Sequence, residues 1–172
     1  MVIVSDYLKG AVTRRVVAHA VEVAGRRQVP VLVDPKIPHL DYYTGATIVT
    51  QNHHEAEVAA HARIRTDEDA QRAGLVFLER ARCGRVLITR GEHGMSLIGP
   101  SGADHFPAIA REVADVTGAG DTVIATLALA LAAGADAPDA AQIANHAAGV
   151  VVGRFGPATV GPEDLLATFG AG

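Results

Sequence analysis

Cysteine is nearly absent: Cys83 is the only one in 172 residues. That excludes an intramolecular disulfide framework and a multi-cysteine metal site, and it suits a reducing cytoplasm, where Cys83 is expected to be a small core residue. A positive excess is also missing. With 15 basic against 19 acidic residues the formal net charge is -4, so no overall field draws a nucleic-acid backbone or an anionic membrane, and neither partner is expected. The longest apolar run, Val123 to Ala133, is too short to span a bilayer, and the first residues lack the charged, apolar and small-residue parts of a signal peptide. A soluble, cytoplasmic protein is expected. With 49% of residues hydrophobic and 20% charged, the composition fits one compact domain over residues 1–172 with a sizeable core.

Hydrophobic periodicity predicts alternating strands and helices. Residues 1–6 read as a short buried strand, so the chain enters its core with no lead-in. Val12, Val16, Val17, Ala20 and Val23 recur at helical spacing within residues 11–28, followed by a strand over Val29–Val33 closed by Asp34-Pro35. A strand over Ala46–Thr50 runs into Gln51-Asn52, then helices are expected over His53–Ala62 and Asp67–Arg82, and a strand over Arg85–Thr89. Such alternation predicts an α/β chain with a parallel sheet whose ligands collect beyond the carboxyl ends of the strands. Polar clusters fall at those ends: Ser5-Asp6, Asp34-Pro35-Lys36, Asn52 with Glu55, and Thr89-Arg90-Gly91. Met95–Ile98 and Asp104–Phe106 predict a hairpin across Gly99-Pro-Ser-Gly102. Two Ala-rich helices over Thr122–Ala133 and Pro138–Gly153, and a short one over Pro162–Phe169, complete the pattern.

Between hairpin and Ala-rich helices stands Asp115-Val-Thr-Gly-Ala-Gly-Asp121-Thr. As a P-loop it lacks the terminal Gly-Lys-Ser/Thr, and as a dinucleotide fingerprint its third glycine would fall at Val123. Glycines at a helix start can turn backbone N–H groups toward one spot, where the helix dipole adds partial positive charge and an anion can rest. An ionised aspartate at the same end can take the proton of a hydroxyl that attacks a phosphoryl group held there. A second reading of the same residues is that Asp121 or Thr122 only caps the helix, a role both types often fill.

Asp115-Val-Thr-Gly-Ala-Gly-Asp121-Thr resembles the C-terminal signature of the ribokinase or PfkB family of ATP-dependent sugar kinases. Ser5-Asp-Tyr-Leu-Lys-Gly10, Val33-Asp-Pro-Lys36, Asn52-His-His-Glu55, Thr89-Arg-Gly-Glu-His-Gly94 and Ala147-Ala-Gly-Val-Val-Val-Gly153 occur in family order. The combination is most similar to the kinase part of bacterial enzymes that phosphorylate D-glycero-D-manno-heptose 7-phosphate on the way to ADP-heptose and lipopolysaccharide core. The resemblance implies a Rossmann-like ribokinase fold, three-layered around a mostly parallel sheet. It covers only the C-terminal, ATP-side half of the family domain, without the N-terminal half and β lid that carry most sugar-binding residues.

For the site, the resemblance implies that Asp121 is the catalytic base and that Gly118, Ala119 and Gly120 form the anion hole. Asn52 and Glu55 match an Asn-x-x-Glu element associated with magnesium and phosphate, although Gln51 stands where the family usually has proline. Thr89, Gly91 and Gly94 match a segment along the nucleotide, Asn145 lies on the helix bordering adenine, and Lys36 is placed to meet phosphate. Asp115 and Thr117 match a monovalent-cation site, for example for K+. ATP, Mg2+ and a small phosphorylated sugar are the implied ligands. A central strand without its neighbours would expose backbone and apolar surface, so a homo-oligomer through that sheet edge is expected. A non-catalytic nucleotide-binding or assembly module is the alternative, and a dinucleotide-dependent oxidoreductase a distant third.

Other candidates have plainer readings. Adjacent His53 and His54 point about a hundred degrees apart on a helix and do not readily share a metal. His146 is expected at a packed helix position. Thr66 followed by Asp67-Glu68-Asp69 reads as a helix cap with a dipole-matched first turn. Asp34 is balanced between a magnesium ligand and ordinary turn chemistry, and Arg90 and Arg154 between phosphate contacts and solvated ends of elements.

Overall fold

The computed structural model describes residues 1–109 and 113–170. It consists of two compact units, one made of Met1–Thr89 with Ser96–His105, the other of Arg90–Met95 with Phe106–Gly172.

The first unit is built on a six-stranded sheet whose spatial order follows the chain: β1 (Val2–Ser5), β2 (Val31–Asp34), β3 (Ile48–Asn52), β4 (Arg85–Thr89), β5 (Met95–Gly99) and β6 (Gly102–Phe106). The first four strands run parallel, with Val2 opposite Val31, Leu32 opposite Ile48, and Ile48 opposite Arg85. Parallel neighbours need a crossover, supplied by α1 (Arg14–Arg26), a 3-10 segment (Ile37–Tyr43), α2 (His53–Ala60) and α3 (Asp67–Ala81). The two-residue link Pro100-Ser101 between β5 and β6 allows only the antiparallel turn of a hairpin. Val17, Ala56 and Phe77 from the helices close over Val33, Val49 and Ile88, all buried, on one sheet face. Leu32, Ile48 and Leu87 have the opposite parity and are equally buried. Strands covered on both faces read as continuous apolar runs, which is how β2 and β4 look in the sequence. Cys83 belongs to this core, where burial pushes its thiol up to about 12.

Local chemistry starts the helices. The Thr13 hydroxyl accepts from Val16 N at 3.3 Å. Thr66 accepts from Asp69 N at 3.2 Å while the Asp69 carboxylate accepts from Thr66 N at 3.1 Å, closing the box expected from the acidic run. The β3 strand begins two residues later than the alternation suggests and includes Gln51 and Asn52. The 3-10 segment Ile37–Tyr43 has no periodic signature in the sequence, and its dihedrals break at His39.

The second unit is helical. Arg90–Gly94 forms a tight turn in which Arg90 N donates to Gly94 O at 2.7 Å, followed much later by α4 (Ala119–Ala132), α5 (Ala137–Val152) and α6 (Pro162–Phe169). Buried Val123, Leu127 and Ala128 of α4 accompany buried Ala140, Ala144 and Ala147 of α5. Small side chains on both helices allow their axes to approach closely. Asp136 caps α5 by accepting from Asp139 N at 2.9 Å. His146 occupies the packed helix position expected of it. It is buried, stacks on Phe169 with ring centroids 3.9 Å apart, and lies 2.8 Å from the Thr168 hydroxyl. Burial pulls its pKa down.

Candidate active site

In the first unit, polar groups gather where β1, β2 and β3 end. Asn52 is the last residue of β3 and the N-cap of α2, its side-chain oxygen accepting from Glu55 N at 2.9 Å. The cap therefore explains the Asn-x-x-Glu spacing locally: the oxygen satisfies a helix N–H and leaves the Glu55 side chain on the first turn. From there the Glu55 carboxylate reaches the Lys36 ammonium at 3.0 Å. Lys36 is only partly exposed, and burial alone would lower its pKa. The hydrogen bond and charge of Glu55, with the charges of Asp34 and Tyr7, outweigh that and raise it. Lys36 and Glu55 thus form a partly buried ion pair, with the exposed Asn52 beside it capping the helix that carries Glu55. Thr89 ends β4 with its hydroxyl 3.4 Å from Gln51 O.

Gln51 itself is buried, and neither atom of its side-chain amide has a hydrogen-bond partner among the described residues. Among those residues no group of three His, Cys, Asp or Glu side chains is placed to hold a metal. Glu55 is the carboxylate that the pair with Lys36 offers.

In the second unit, Gly118 takes the left-handed conformation with φ of 79° and stands as the N-cap of α4, with no side chain capping the helix. The helix therefore starts three residues earlier than the apolar pattern suggested. Asp121 is its third residue, exposed, and neither Asp121 nor Thr122 is the N-cap, which sets the capping reading aside. The first N–H groups of a helix have no intrahelical acceptor. One of the three expected anion-hole residues departs from the expectation, since Ala119 N donates to Val116 O at 3.2 Å. Gly120 lies in the first turn beside Asp121, with nothing within 4 Å of where a Cβ would stand.

The approach to this turn is tied down by Asp115. Its two carboxylate oxygens accept from Thr117 N at 2.9 Å and from Gly156 N at 3.1 Å. The Thr117 bonds first, then that of Gly156, hold the carboxyl below its ordinary value. Ala114 N adds a bond to Val152 O at 2.7 Å, fixing the segment to the end of α5. An ionised carboxylate and a hydroxyl two residues apart are hard oxygen donors of the kind a monovalent cation takes.

Gly94 and Asn145 meet the same stretch of chain. A Cβ on Gly94 would stand 1.9 Å from Phe106 O, and φ there is 78°. Asn145 is buried and donates to Pro107 O at 2.8 Å. Both residues thus have structural duties around residues 106–108 that the sequence alone did not reveal. Gly91, with φ of 58°, opens the turn that precedes Gly94.

Neither Arg90 nor Arg154 is simply a solvated end of an element. Arg90 is buried, so it is not a solvated strand end. Arg154 pairs with Asp164 at 2.7 Å and donates to Thr159 O at 2.7 Å, a bracket for the start of α6. Sequence reasoning placed Ser5-Asp6 at a strand end but assigned Asp6 no role, and it passed over His39 and Tyr43. The structure gathers all three: Asp6 accepts from Tyr43 Oη at 2.7 Å and from His39 Nδ1 at 2.6 Å. The one available signal was an acid at the carboxyl end of a parallel strand.

These features define an α/β three-layer fold of the ribokinase type. The model of the pfkB family carbohydrate kinases matches residues 1–164, and the chain belongs to that family. It is 48% identical over 171 residues to the bifunctional protein HldE of Geobacter sulfurreducens, covering 99% of this chain and 35% of that protein. It is also 48% identical over 166 residues to the HldE of Methylococcus capsulatus, covering 96% and 34%. The chain thus spans about a third of the length of these relatives. Among solved structures, the Arabidopsis thaliana ribokinase complexed with ribose and ATP superposes with a TM-score of 0.80 at 21% identity, over 96% of this chain and 54% of the other. Phosphofructokinase-2 of Escherichia coli in complex with potassium gives 0.82 at 16% identity, over 98% and 55%.

Proposed function

We propose that this chain is the ATP-side part of a cytoplasmic sugar kinase that transfers the γ-phosphate of ATP to the anomeric hydroxyl of D-glycero-D-manno-heptose 7-phosphate. The single observation that carries the reading is Asp121, exposed on the first turn of α4 directly behind the left-handed Gly118. There a carboxylate and the first-turn backbone of Gly120 lie at the same, positively polarised end of the helix. In the reaction Asp121 accepts the proton of the sugar hydroxyl as that oxygen bonds to the γ-phosphorus. The bond from the γ-phosphorus to the bridging oxygen breaks, and ADP leaves. Gly120, with Gly118 setting the turn, receives phosphate charge on its backbone amide, and Lys36 offers its ammonium to phosphate charge. Magnesium, held through Glu55 and water, would neutralise phosphate charge. Asn52 keeps Glu55 on its turn, Thr89, Gly91 and Gly94 shape the segment along the nucleotide, and Asn145 borders the base. Asp115 and Thr117 would share a monovalent cation such as K+.

The sugar is proposed from the similarity to HldE and from the motifs around Lys36 and Asn52. Self-association is proposed at the β1 edge, where among the described residues β1 pairs only with β2 and Ile3 is 44% exposed. Among the described residues no helix is long and apolar enough to cross a membrane, and the formal charge of -4 gives no reason to add a nucleic acid to the ligands.

The test is phosphorus NMR of the purified chain with MgATP and heptose 7-phosphate, in which the 1,7-bisphosphate and ADP are expected. Asp121→Asn should lower turnover by about 10² to 10⁴ while leaving nucleotide affinity intact. Undiminished turnover in that variant removes Asp121 from the base role. Nucleotide binding without product, in the presence of the sugar, favours a non-catalytic binding module, and no calorimetric heat with millimolar MgATP rules out both.

A further inference from the structure

Asp6 is the one fully buried carboxylate among the described residues, 1% exposed. A carboxylate in that position is costly unless every lone pair finds a donor. Here Oδ1 accepts from Leu8 N at 2.8 Å, and Oδ2 accepts from Tyr43 Oη at 2.7 Å and His39 Nδ1 at 2.6 Å. Burial opposes its ionisation, but the bonds from Tyr43, Leu8 and His39 prevail and hold it below the ordinary carboxylate value. Because Asp6 is ionised, His39 must carry a proton on Nδ1, and Tyr43 must direct its own proton to Asp6. The Tyr43 oxygen is then free to accept, and it takes the backbone N–H of Lys36 at 3.1 Å.

A continuous line therefore runs from the end of β1 to the lysine that follows β2. The 3-10 segment between Lys36 and Tyr43 lacks regular dihedrals at His39, so it does not fix its own ends. Asp6 fixes them instead. His39 stacks on Tyr42 with centroids 4.3 Å apart, and the Arg14 guanidinium lies 5.0 Å from the Tyr42 ring on the exposed side.

We propose that Asp6, acting through Tyr43, is a positioning residue for Lys36: it fixes the lysine backbone so that the ammonium stands opposite Glu55, ready for a phosphate of the nucleotide. The last step rests on the kinase reading above; the positioning itself does not. Removing the Tyr43 hydroxyl leaves the ring and the core in place but leaves the Lys36 N–H without its acceptor.

The experiment uses the full chain and the variants Tyr43→Phe, Asp6→Asn and, as a control off the line, Arg14→Ala. Order of the Lys36 side chain is read by carbon-13 relaxation at its Cε, MgADP affinity is measured by calorimetry, and melting temperature is recorded alongside. The Lys36 ammonium lies 3.0 Å from Glu55, so its Cε should be ordered in the parent and in Arg14→Ala, and markedly more mobile in Tyr43→Phe and Asp6→Asn. MgADP should bind about tenfold more weakly to those two variants, the loss expected from one misplaced charged contact. A lower melting temperature with Lys36 order and MgADP affinity unchanged would show a purely structural staple and overturn the proposal. If the parent binds no MgADP, the nucleotide reading fails while the Lys36 relaxation still upholds or overturns the positioning. Should Asp6→Asn not fold, Tyr43→Phe decides alone.

Discussion

The Asp115 carboxylate accepts from Gly156 N at 3.1 Å, joining residues 41 positions apart. With its other oxygen on Thr117 N, it fixes the entry to the turn that presents Asp121. Asp115→Asn keeps one oxygen for an N–H but faces the other N–H with an amide NH2. We expect faster amide exchange at Gly156 and across residues 117–121, with turnover reduced more than nucleotide affinity. Unchanged exchange protection would show that the segment is held by Ala114 and Val152 without the carboxylate.

Gly94→Ala should be among the most damaging single substitutions in the second unit. The new methyl would overlap Phe106 O, and the left-handed φ of 78° adds strain to any L side chain. The two effects together cost roughly 2–5 kcal/mol, read by urea denaturation. A variant as stable as the parent would mean that residues 106–108 can withdraw without penalty.

Gln51→Met is expected to act in the opposite direction. Replacing a buried amide that has no partner among the described residues with an apolar side chain of similar length should stabilise by about 1–3 kcal/mol. A loss of stability would reveal a bound water or ligand on that amide.

Acid should weaken the fold. Asp6, Asp69, Asp115 and Asp164 are held below 3.8, and Glu57 below 4.5, chiefly by hydrogen bonds and nearby arginines. Depressed values mean that the unfolded chain binds protons first as pH falls, so their stabilisation is complete above those ordinary values and drains away below them. Melting temperature should begin to fall below about pH 6.5, where His146, held below its ordinary value, takes up its proton first in the unfolded chain, and drop more steeply below about pH 5. The Asp6→Asn variant should be less stable than the parent at neutral pH and show a shallower acid drop; an equally steep drop would mean that Asp6 is not linked to folding.

What the sequence determined by itself was the part governed by neighbours in the chain. The strand Arg85–Thr89 and the helix Pro162–Phe169 have the predicted bounds, and Thr66 with Asp69 forms the expected capping box, because alternation, proline at a helix start and caps act over a few residues. The family motifs were legible for the same reason, each being a short run with a local task, such as the Asn52 cap that sets out Glu55. Only the tertiary structure decided which residues those runs meet. The segment Ile37–Tyr43 has no periodicity to read, and its anchor is Asp6, 37 positions before Tyr43. The need for glycine at position 94 comes from Phe106 O, and the duty of Asn145 from Pro107 O. Buried polar groups are satisfied by whatever the fold brings within hydrogen-bond reach, and that distance in space is not written in any spacing along the chain.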